Sequence, residues 1–479
     1  MSRSLTKKFK KLQKRLTGNS AQLYVFAAFM IIVFLLGGSS RDDVQSLVIL
    51  RPLAIVFGVY ALTCKDREAW KGRTFPLYVA LALAGLMLLQ LIPLPPSIWT
   101  NLPGRQIFAN IADLAGMEQP WRPLTLSPSR TLNSLFSLVV PVSAMMLYLN
   151  LDKNRRKQAV AIIIALAGAS ALWAILQLTG SARGPFYLYN ITNNGAAVGL
   201  FANRNHQAVF LAASIVMLGW YGASHSVATK LAALKFYSSI AAIFVFVPLI
   251  FVTGSRAGLL LMIPALIAAI ILIYYGRYTL ESQPAANSRR SKKKRFALRQ
   301  IILIASSSMI MIMAALSIYF SRSLAYDRLL GGSGATELRL QLVPIFSRML
   351  GDYFPWGSGF GTFEHVYRIY EPHDFLNPSY LNQAHNDWFQ LPIEGGLPVI
   401  IIAAVVVIWA LRQCLTLLKN WKHSRYSKYA PAMAAIVILL FLAASIGDYP
   451  LRIPSLIAVF AVSACIFTDG VRAVRRTET

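Results

Sequence analysis

The apolar residues of this chain are gathered into blocks of about 20, the length that a helix needs to cross the hydrocarbon core of a bilayer. Backbone N–H and C=O groups cannot stay unpaired in lipid, so each block must be helical. The alternating apolar and polar residues of a membrane β-barrel are absent from the sequence. With 56% hydrophobic and only 14% charged residues, the chain is predicted to be an all-α polytopic membrane protein.

Twelve such blocks can be assigned, which returns both termini to the same side of the membrane. The predicted spans are 21–38, 45–63, 75–94, 132–151, 158–179, 196–219, 231–252, 257–276, 300–320, 397–415, 429–447 and 452–470. The first span follows a basic segment but precedes no A-x-A-like cleavage site. We therefore interpret it as an uncleaved helix and not as a signal peptide.

Basic clusters support this count, because they all fall on the side that holds the termini. They lie in the segments 1–20, 65–73, 153–157, 277–299, 412–428 and 472–476. The positive-inside rule makes that side the cytoplasm, and a wrong helix count would scatter the clusters over both sides. The same rule accounts for the net charge of +28, so we expect no nucleic-acid partner despite the basic run 289–295.

The predicted topology contains one outer loop that is much longer than an ordinary connection. The chain divides into a basic cytoplasmic N-terminus (1–20), nine helices (21–320) with an interfacial outer loop at 95–129, a large outer loop (321–396) between helices 9 and 10, three more helices (397–470) and a cytoplasmic tail (471–479). Loops of such length usually carry function or are disordered, and the aromatic residues from Tyr353 to Trp388 argue against disorder. The large outer loop is therefore the first candidate for a functional site.

Arginine and lysine are distributed unequally over the two sides. All 17 lysines fall on the cytoplasmic side of this topology, whereas the outer side and the membrane hold 14 arginines and no lysine. A guanidinium offers a planar, always charged fork that matches phosphate oxygens, and lysine does not replace it. The pattern predicts an anionic, phosphate-bearing ligand bound from the outer side. The alternative is that these arginines pair with the 13 outward acids, such as Asp327, Glu337 and Asp448.

His385 is the leading candidate for a general base. Its imidazole can accept a proton near pH 7, and Asp387 or Asn386 could orient the ring. Pro392 and the two glycines after Glu394 interrupt a helix, so we expect His385 on a short interfacial helix or turn before the next span. The alternative is a histidine that only hydrogen-bonds to solvent at the membrane interface.

Five consecutive polar residues, from Asn203 to Gln207, occupy the outer half of the sixth predicted span, where polar side chains are costly in lipid. On a helix Asn203 and His206 would share one face, and Arg204 and Gln207 another. Arg51, about two turns into the second span, raises the same question. We expect these residues to face a ligand or a water-filled cavity. Structural hydrogen bonding is the alternative.

Two further arginines lie at the outer starts of predicted helices, where the positive end of the helix dipole stabilises anions. Arg130 follows Ser127 and Pro128, a pattern typical of a cap and a first turn. Arg256 follows Gly254 in a tight outer turn and would lie at the mouth of the eighth span. The alternative is that both arginines only snorkel to the interface at helix ends.

The sequence contains no pattern typical of a metal or nucleotide site. The histidines and acids lack metal-ligand spacing, a Gly-rich phosphate loop is absent, and Asp42–Asp43 is the one acidic pair in the first outer loop. The cysteines Cys64, Cys414 and Cys465 have neither metal-like nor disulfide-like spacing. We therefore expect no cofactor, no use of ATP, and a substrate that is already activated.

Four motifs, in this order, resemble those of the O-antigen ligase and polysaccharide polymerase superfamily of bacterial inner-membrane glycosyltransferases. They are GLFANRNHQA (199–208), TGSRAG (253–258), PWGSGFGTF (355–363) and HNDWFQLPIEGGLP (385–398). The motifs cover roughly residues 190–410, and the order of twelve spans around one late loop extends the resemblance to the whole chain. The resemblance implies a multi-pass protein of the bacterial inner membrane, whose outer side and large catalytic loop face the periplasm.

The resemblance also implies a reaction, the metal-independent, inverting transfer of a glycan from an undecaprenyl-pyrophosphate carrier to an acceptor hydroxyl. His385 would deprotonate that hydroxyl. By position Arg256 and Arg339 match the pyrophosphate-binding arginines, although Arg328 and Arg348 are close enough to Arg339 to be confused with it. Further candidates are Arg204 and Arg130 for the pyrophosphate, and Asn203, His206, Asn386, Asp387, Glu394 and Arg51 for supporting or substrate contacts.

The acceptor stays open at this point. A polymerase extends another lipid-linked glycan, a ligase uses lipid A-core, and a third branch, which often carries an additional soluble domain, uses a protein hydroxyl. No such domain follows the last span, so we expect a polymerase or a ligase, with a slight preference for a polymerase of exopolysaccharide or O-antigen. A chain-length regulator is a possible partner. The alternative function is a secondary transporter or a translocator of lipid-linked glycans, although no internal repeat is found and the polar residues gather at the outer face.

Overall fold

A computed structural model describes residues 19–41, 44–65, 67–224, 230–281, 334–376, 381–421 and 429–475. The first helices are α1 (Asn19–Leu36), α2 (Ser46–Thr63), α3 (Arg67–Trp70), α4 (Phe75–Gln90), α5 (Pro96–Trp99), α6 (Gln106–Leu114), α7 (Pro128–Ser137), α8 (Val139–Asn150) and α9 (Lys153–Thr179). The later helices are α10 (Arg204–Ala223), α11 (Lys230–Thr253), α12 (Arg256–Glu281), α13 (Gly334–Tyr353), α14 (Phe363–Tyr370), α15 (Asp387–Lys419), α16 (Tyr429–Ala444) and α17 (Pro454–Arg475). Two short strands, β1 (Pro93–Leu94) and β2 (Arg122–Pro123), pair antiparallel, and 3₁₀ turns form at His373–Phe375 and Pro450–Arg452.

Eight of the described helical segments are long and apolar enough to cross a membrane, and the shorter apolar helices α1, α4 and α16 accompany them. These segments overlap eleven of the predicted spans. The ninth predicted span, 300–320, lies outside the described residues, so the count of twelve and the placement of the large loop stay predictions. The chain is an all-α polytopic membrane protein, as its apolar blocks predict.

The start of the sixth span differs from the prediction, because α10 begins at Arg204 and not near residue 196. The apolar residues between 196 and 201 are buried in a loop. In the sequence they have the same apolar composition as a membrane span, so the span was predicted to begin there. In this loop Gly199 has φ +60, a conformation that glycine adopts without strain. Asn203 then caps α10, since its side chain accepts a hydrogen bond from the backbone N–H of Asn205.

Helix α10 lies at the centre of the bundle, with 94% of its span buried. Small residues bring it close to α12: a Cβ on Gly219 would lie 2.6 Å from Cα of Ala269. At the outer ends of the same two helices, Gly258 packs directly against Ala208. Small residues at such contacts allow helices to approach closely in a membrane. As a result, the first turns of α10 and α12 lie side by side.

The segment between α4 and α7, predicted to lie along the membrane interface, is folded around Trp99. The indole of Trp99 donates a hydrogen bond to a backbone carbonyl (2.8 Å), and the guanidinium of Arg122 lies over its ring at 5.2 Å from the centroid. Helix α6 exposes Ile107, Ile111 and Leu114 along one side. A short helix with exposed apolar residues along one side is compatible with the predicted position along the membrane interface.

The described part of the large outer loop has a small core of its own. Phe346 of α13 packs edge-on against Phe363 of α14, with ring centroids 5.5 Å apart, and against Tyr367. This core also receives Ile393 and Phe389 from the first turns of α15. The outer loop is therefore anchored to the start of α15, where His385 immediately precedes the helix.

Helix α15 is divided by a kink at Gly396, whose φ of 61° and ψ of −154° are not helical. A short outer segment, 387–395, precedes the kink, and the long apolar segment follows it. The turn after α13 supports the kink, since the backbone N–H of Leu397 donates to the carbonyl of Pro355 at 2.7 Å. A short helix before the span was the expectation from the proline and glycine pattern, and the structure agrees.

We expect the Gly219→Val variant to be less stable than the wild type, by about 1–3 kcal/mol, because the added atoms would overlap Ala269. Gly168→Val in α9 is the matched control, since a Cβ there meets no described atom within 4 Å. Thermal unfolding of the detergent-solubilised protein measures both. Equal midpoints for the two variants would contradict close packing of α10 on α12.

Candidate functional site

The carboxylate of Asp448 lies between two histidines at the end of the bundle that the topology predicts to face outward, called the outer end below. Its Oδ1 is 3.3 Å from Nδ1 of His385 and accepts a hydrogen bond from the backbone N–H of Tyr449 at 3.0 Å. Its Oδ2 is 3.8 Å from Nε2 of His206. Asp448 and His206 are buried, whereas the His385 side chain is 24% exposed. His385 is thus the member of this group that is accessible from solvent.

The backbone around His385 is held in an unusual conformation. His385 has φ +49, and among the described residues it is the one non-glycine residue in the left-handed region. Such a conformation costs about 1–2 kcal/mol and persists where the surroundings fix it. Asn386 caps α15 through Trp388 and Phe389, while the backbone N–H of Ala384 donates to a buried glutamine side chain. The imidazole is therefore directed by the backbone on both sides of it.

Electrostatic partners decide the charge of Asp448. Burial favours the neutral acid, but the two histidines and Asn205 outweigh burial and hold the pKa of Asp448 well below its usual range. Because the pKa is lower in the folded than in the unfolded chain, the ionised carboxylate contributes stability above about pH 4, and this contribution is lost as the pH falls through the folded-state value. At neutral pH the group is a buried anion beside His385.

Tyr449 packs against both histidines. Its ring centroid is 4.8 Å from that of His385 and 5.3 Å from that of His206, edge-on in both cases. Burial, followed by the charge of Asp448, raises the pKa of Tyr449, while Arg41 and hydrogen bonds to Asn203 and Asn382 partly oppose the shift. The phenol is therefore a neutral hydrogen-bonding group that closes one side of the site.

A second buried network surrounds Arg452. Its Nε donates to Asp387 Oδ1 at 3.0 Å, and its Nη2 donates to Glu394 Oε2 at 3.4 Å. The hydroxyl of Ser445 donates to the other oxygen of Asp387 at 3.1 Å, and Gln390 donates to Glu394 at 2.9 Å. Burial lowers the pKa of Arg452, but the two carboxylates outweigh burial and raise it. The network joins the outer segment of α15 to the connection between α16 and α17.

This arrangement corrects the expectation that Asp387 or Asn386 orients His385. Asp387 is the first residue of α15, and its carboxylate is committed to Arg452. Asn386 uses its side-chain oxygen for the helix cap. The orienting carboxylate is Asp448, which is 63 residues away in the sequence.

The polar residues 203–207 have separate roles. Asn203 is a cap in extended conformation (φ −129), so the prediction that it shares a helix face with His206 is wrong. His206 and Asn205 contact Asp448. Gln207 is fully buried and accepts a hydrogen bond from Ser170 at 2.6 Å, a structural contact. Only part of the segment therefore reaches the Asp448 carboxylate.

Arg204 and Arg256 are the first residues of the neighbouring helices α10 and α12. Nη1 of Arg204 lies 3.8 Å from the position that a Cβ on Gly254 would occupy, two residues before Arg256. Arg204 is also two residues before His206, which contacts Asp448. The two arginine-bearing helix starts therefore adjoin the histidine pair.

The other predicted arginines lie elsewhere. Arg130 Nε is 3.2 Å from Nε2 of His365, and its Nη2 is 3.7 Å from Glu364. Arg51 donates to Asn133 at 2.6 Å in an apolar groove between α2 and α7. Arg339 is part of α13, but its side chain lies outside the described residues, as does all of Arg328. Their predicted roles stay predictions.

Pairing with acids accounts for part of the outer arginines. In the described part of the chain, outer arginines with a carboxylate within ion-pair distance include Arg130, Arg348, Arg368 and Arg452. Arg348, which was confusable with Arg339, is exposed and pairs with Asp352 at 3.8 Å. Arg105 donates to the carbonyl of Leu124 at 2.5 Å instead. The alternative reading of the arginine bias is therefore correct for some positions.

Asp448 and Tyr449 were missed as site residues in the sequence reading. The available signal was their position: the connection between α16 and α17 is short, yet it carries two charged residues, Asp448 and Arg452. A charge in a short outer connection of an apolar chain needs a partner or a ligand. Among the described residues, no group of three or more His, Cys, Asp or Glu side chains is arranged to hold a metal ion.

Fold and site together define a polytopic helical membrane protein whose polar residues converge at one end of the bundle. Residues 241–404 match the family described as O-antigen ligase, which confirms the resemblance of this chain to the O-antigen ligase superfamily. The match supports a glycan-transferring role in polysaccharide biosynthesis at a membrane. It includes Arg256, His385 and Glu394 but neither His206 nor Asp448. No curated protein matches the chain.

We expect Arg452→Gln to destabilise the protein by about 3–5 kcal/mol, because Asp387 and Glu394 would be left as buried charges without their cation. Arg348→Gln is the matched control, since its exposed pair with Asp352 should contribute less than about 1 kcal/mol. Thermal and denaturant unfolding of both variants in detergent measures the difference. Similar small losses in both would show that the Arg452 network does not hold α15 in place.

Proposed function

We propose that this protein is a metal-independent, inverting glycosyltransferase that moves a glycan from undecaprenyl pyrophosphate to an acceptor hydroxyl. The observation that carries the proposal is the contact of His385 Nδ1 with the buried Asp448 carboxylate at 3.3 Å, in a chain that matches the O-antigen ligase family. A partly exposed imidazole backed by a buried carboxylate is the arrangement that a general base requires.

His385 acts as the base through Nε2, because Nδ1 faces Asp448. The acceptor oxygen forms a bond to the anomeric carbon as the bond from that carbon to the pyrophosphate oxygen breaks, and the hydroxyl proton passes to Nε2. Attack from the face opposite the leaving group inverts the anomeric centre. Asp448 is a positioning residue in this scheme: it fixes the tautomer and stabilises the imidazolium that forms.

Arg204 and Arg256 supply the positive charge for the departing pyrophosphate, which leaves with the bonding electron pair. Support comes from their location at the starts of two adjoining helices, where dipole and guanidinium charges add. His206 lies in the first turn of α10 and joins this end of the helix to Asp448. Preorganised charge at a leaving group is a large contribution to catalysis in a site with little water. Arg339 and Arg130 are further candidates for the same anion.

The proposed orientation puts this site in the periplasm and the basic clusters in the cytoplasm. In this scheme the large outer loop, with α13 and α14, is the catalytic loop, and α6 lies on the outer leaflet near the lipid-linked donor. The acceptor is either a second lipid-linked glycan or lipid A-core, so polymerase and ligase are both retained. A regulator of chain length belongs to the polymerase case.

Replacement of His385 by alanine should lower the rate of glycan transfer by about 100-fold or more, because the acceptor would lose its general base. The protein in membranes is given a lipid-pyrophosphate glycan, with and without lipid A-core, and donor consumption is followed. His373→Ala is the matched control, an exposed histidine in the same loop. Retained transfer in a His385→Ala protein that inserts normally would exclude His385 as the base.

Replacement of Asp448 by asparagine keeps the size of the side chain but removes the charge that faces His385. We expect kcat to fall by about 100-fold or more while KM for the acceptor stays near the wild-type value, since Asp448 acts through the histidine. Asp374→Asn, an exposed acid in the outer loop, is the control. An unchanged kcat, or a change confined to KM, would contradict the positioning role.

A further inference from the structure

Three arginines lie close together at the end of the bundle opposite the proposed active site, and two of them pair with one carboxylate. Asp469 of α17 pairs with Arg73 (Nε to Oδ1, 2.9 Å) and with Arg156 (Nη1 to Oδ2, 2.5 Å). Arg472, one turn further along α17, reaches the same place, because its Nη1 lies 3.5 Å from the position of a Cβ on Gly72. The cluster therefore combines three positive charges with one negative charge.

The hydrogen-bonding capacity of this cluster is not used up by the protein. The side chains of Arg156 and Arg73 are only 8% and 17% exposed. Within the described residues, Nε of Arg156 and Nη1 of Arg472 are buried and have no hydrogen-bond partner. Burial, reinforced by the charges of Arg156 and Arg472 and opposed by Asp469, lowers the pKa of Arg73. Unused donors and mutual repulsion would both be relieved by an anion.

The cluster lies near the end of the candidate membrane span Pro454–Ala473. Along α17, Asp469 is about 22 Å from Pro454, which is close to the Asp448 site at the other end of the helix. Its neighbours on this face include Lys71, Lys153 and Lys157, all of them exposed. Anions that approach this surface therefore meet an attractive field before they reach the buried guanidiniums.

We propose that Arg73, Arg156 and Arg472 bind the phosphate of an anionic ligand at this membrane face, separately from the glycan-transfer site. Guanidinium N–H groups match phosphate oxygens in geometry and charge, and a phosphate monoanion would bring the net charge of the cluster from +2 to +1. Asp469 keeps the arginines in position and limits their repulsion. Such a phosphate has two sources, the headgroup of an anionic lipid in the adjacent leaflet and a soluble phosphate compound.

Arg472→Gln tests the site while Asp469 keeps its pairs with Arg73 and Arg156. The full-length protein is placed in phosphatidylcholine nanodiscs, and its thermal midpoint is measured against an increasing fraction of phosphatidylglycerol. In a second arm, inorganic phosphate is titrated in phosphatidylcholine nanodiscs at constant ionic strength. Arg155→Gln is the matched control, because Arg155 is next to Arg156 but pairs with Asp152 at 3.2 Å.

The proposal is supported if the wild-type midpoint rises in either arm. Arg472→Gln should then need about tenfold or more of the ligand for the same rise, and Arg155→Gln should respond like the wild type. A response to phosphatidylglycerol alone identifies the lipid headgroup, and a response to inorganic phosphate as well identifies a soluble ligand. If Arg472→Gln does not fold, the wild-type protein alone provides the test. The absence of a rise in its thermal midpoint in both arms overturns the proposal. Equal responses of the wild type and Arg472→Gln overturn it too.

Discussion

The buried charge of Asp448 is the interaction on which the outer end of this protein depends. A carboxylate with 1% exposure in a membrane protein persists only if its partners replace the lost hydration. Those partners come from distant parts of the chain: His206 from the first turn of α10, and His385 from the turn before α15. One carboxylate on the connection between α16 and α17 thus brings three segments together, and the accessible member of the group is a histidine.

The Arg452 network makes this meeting point rigid. Arg452 lies four residues after Asp448 and binds two carboxylates of the outer segment of α15, Asp387 through Nε and Glu394 through Nη2. The kink at Gly396 then allows that segment to depart from the axis of the membrane helix. His385 is therefore held by a left-handed backbone, by a capped helix that follows it, and by a charge network that anchors this helix.

Most of the described helices could be predicted from the sequence because they depend on local patterns, whereas the role of His385 stays a prediction. Apolar blocks determine spans, and the proline and glycines after His385 predict a short helix and a break. The partner of His385 was not predictable in this way. Asp387 is adjacent, but as the first residue of α15 it turns toward Arg452, whereas Asp448 is brought near only by the packing of α15 on the α16–α17 connection. The start of α10 was misplaced for a related reason, since buried apolar loop residues have the same composition as a span.

At several positions at both ends of the bundle, a buried cation is an arginine and not a lysine. At the basic end, Lys71 and Lys157 are exposed, while Arg73 and Arg156 are buried against Asp469. At the other end, Arg452 is the cation that satisfies two buried acids. A guanidinium is more weakly hydrated than an ammonium and can bind two groups at once. It is therefore suited to buried positions that need a positive charge. Burial therefore accounts for arginine at these positions but not for the whole bias on the predicted outer side, where the side chains of Arg348 and Arg368 are more than half exposed.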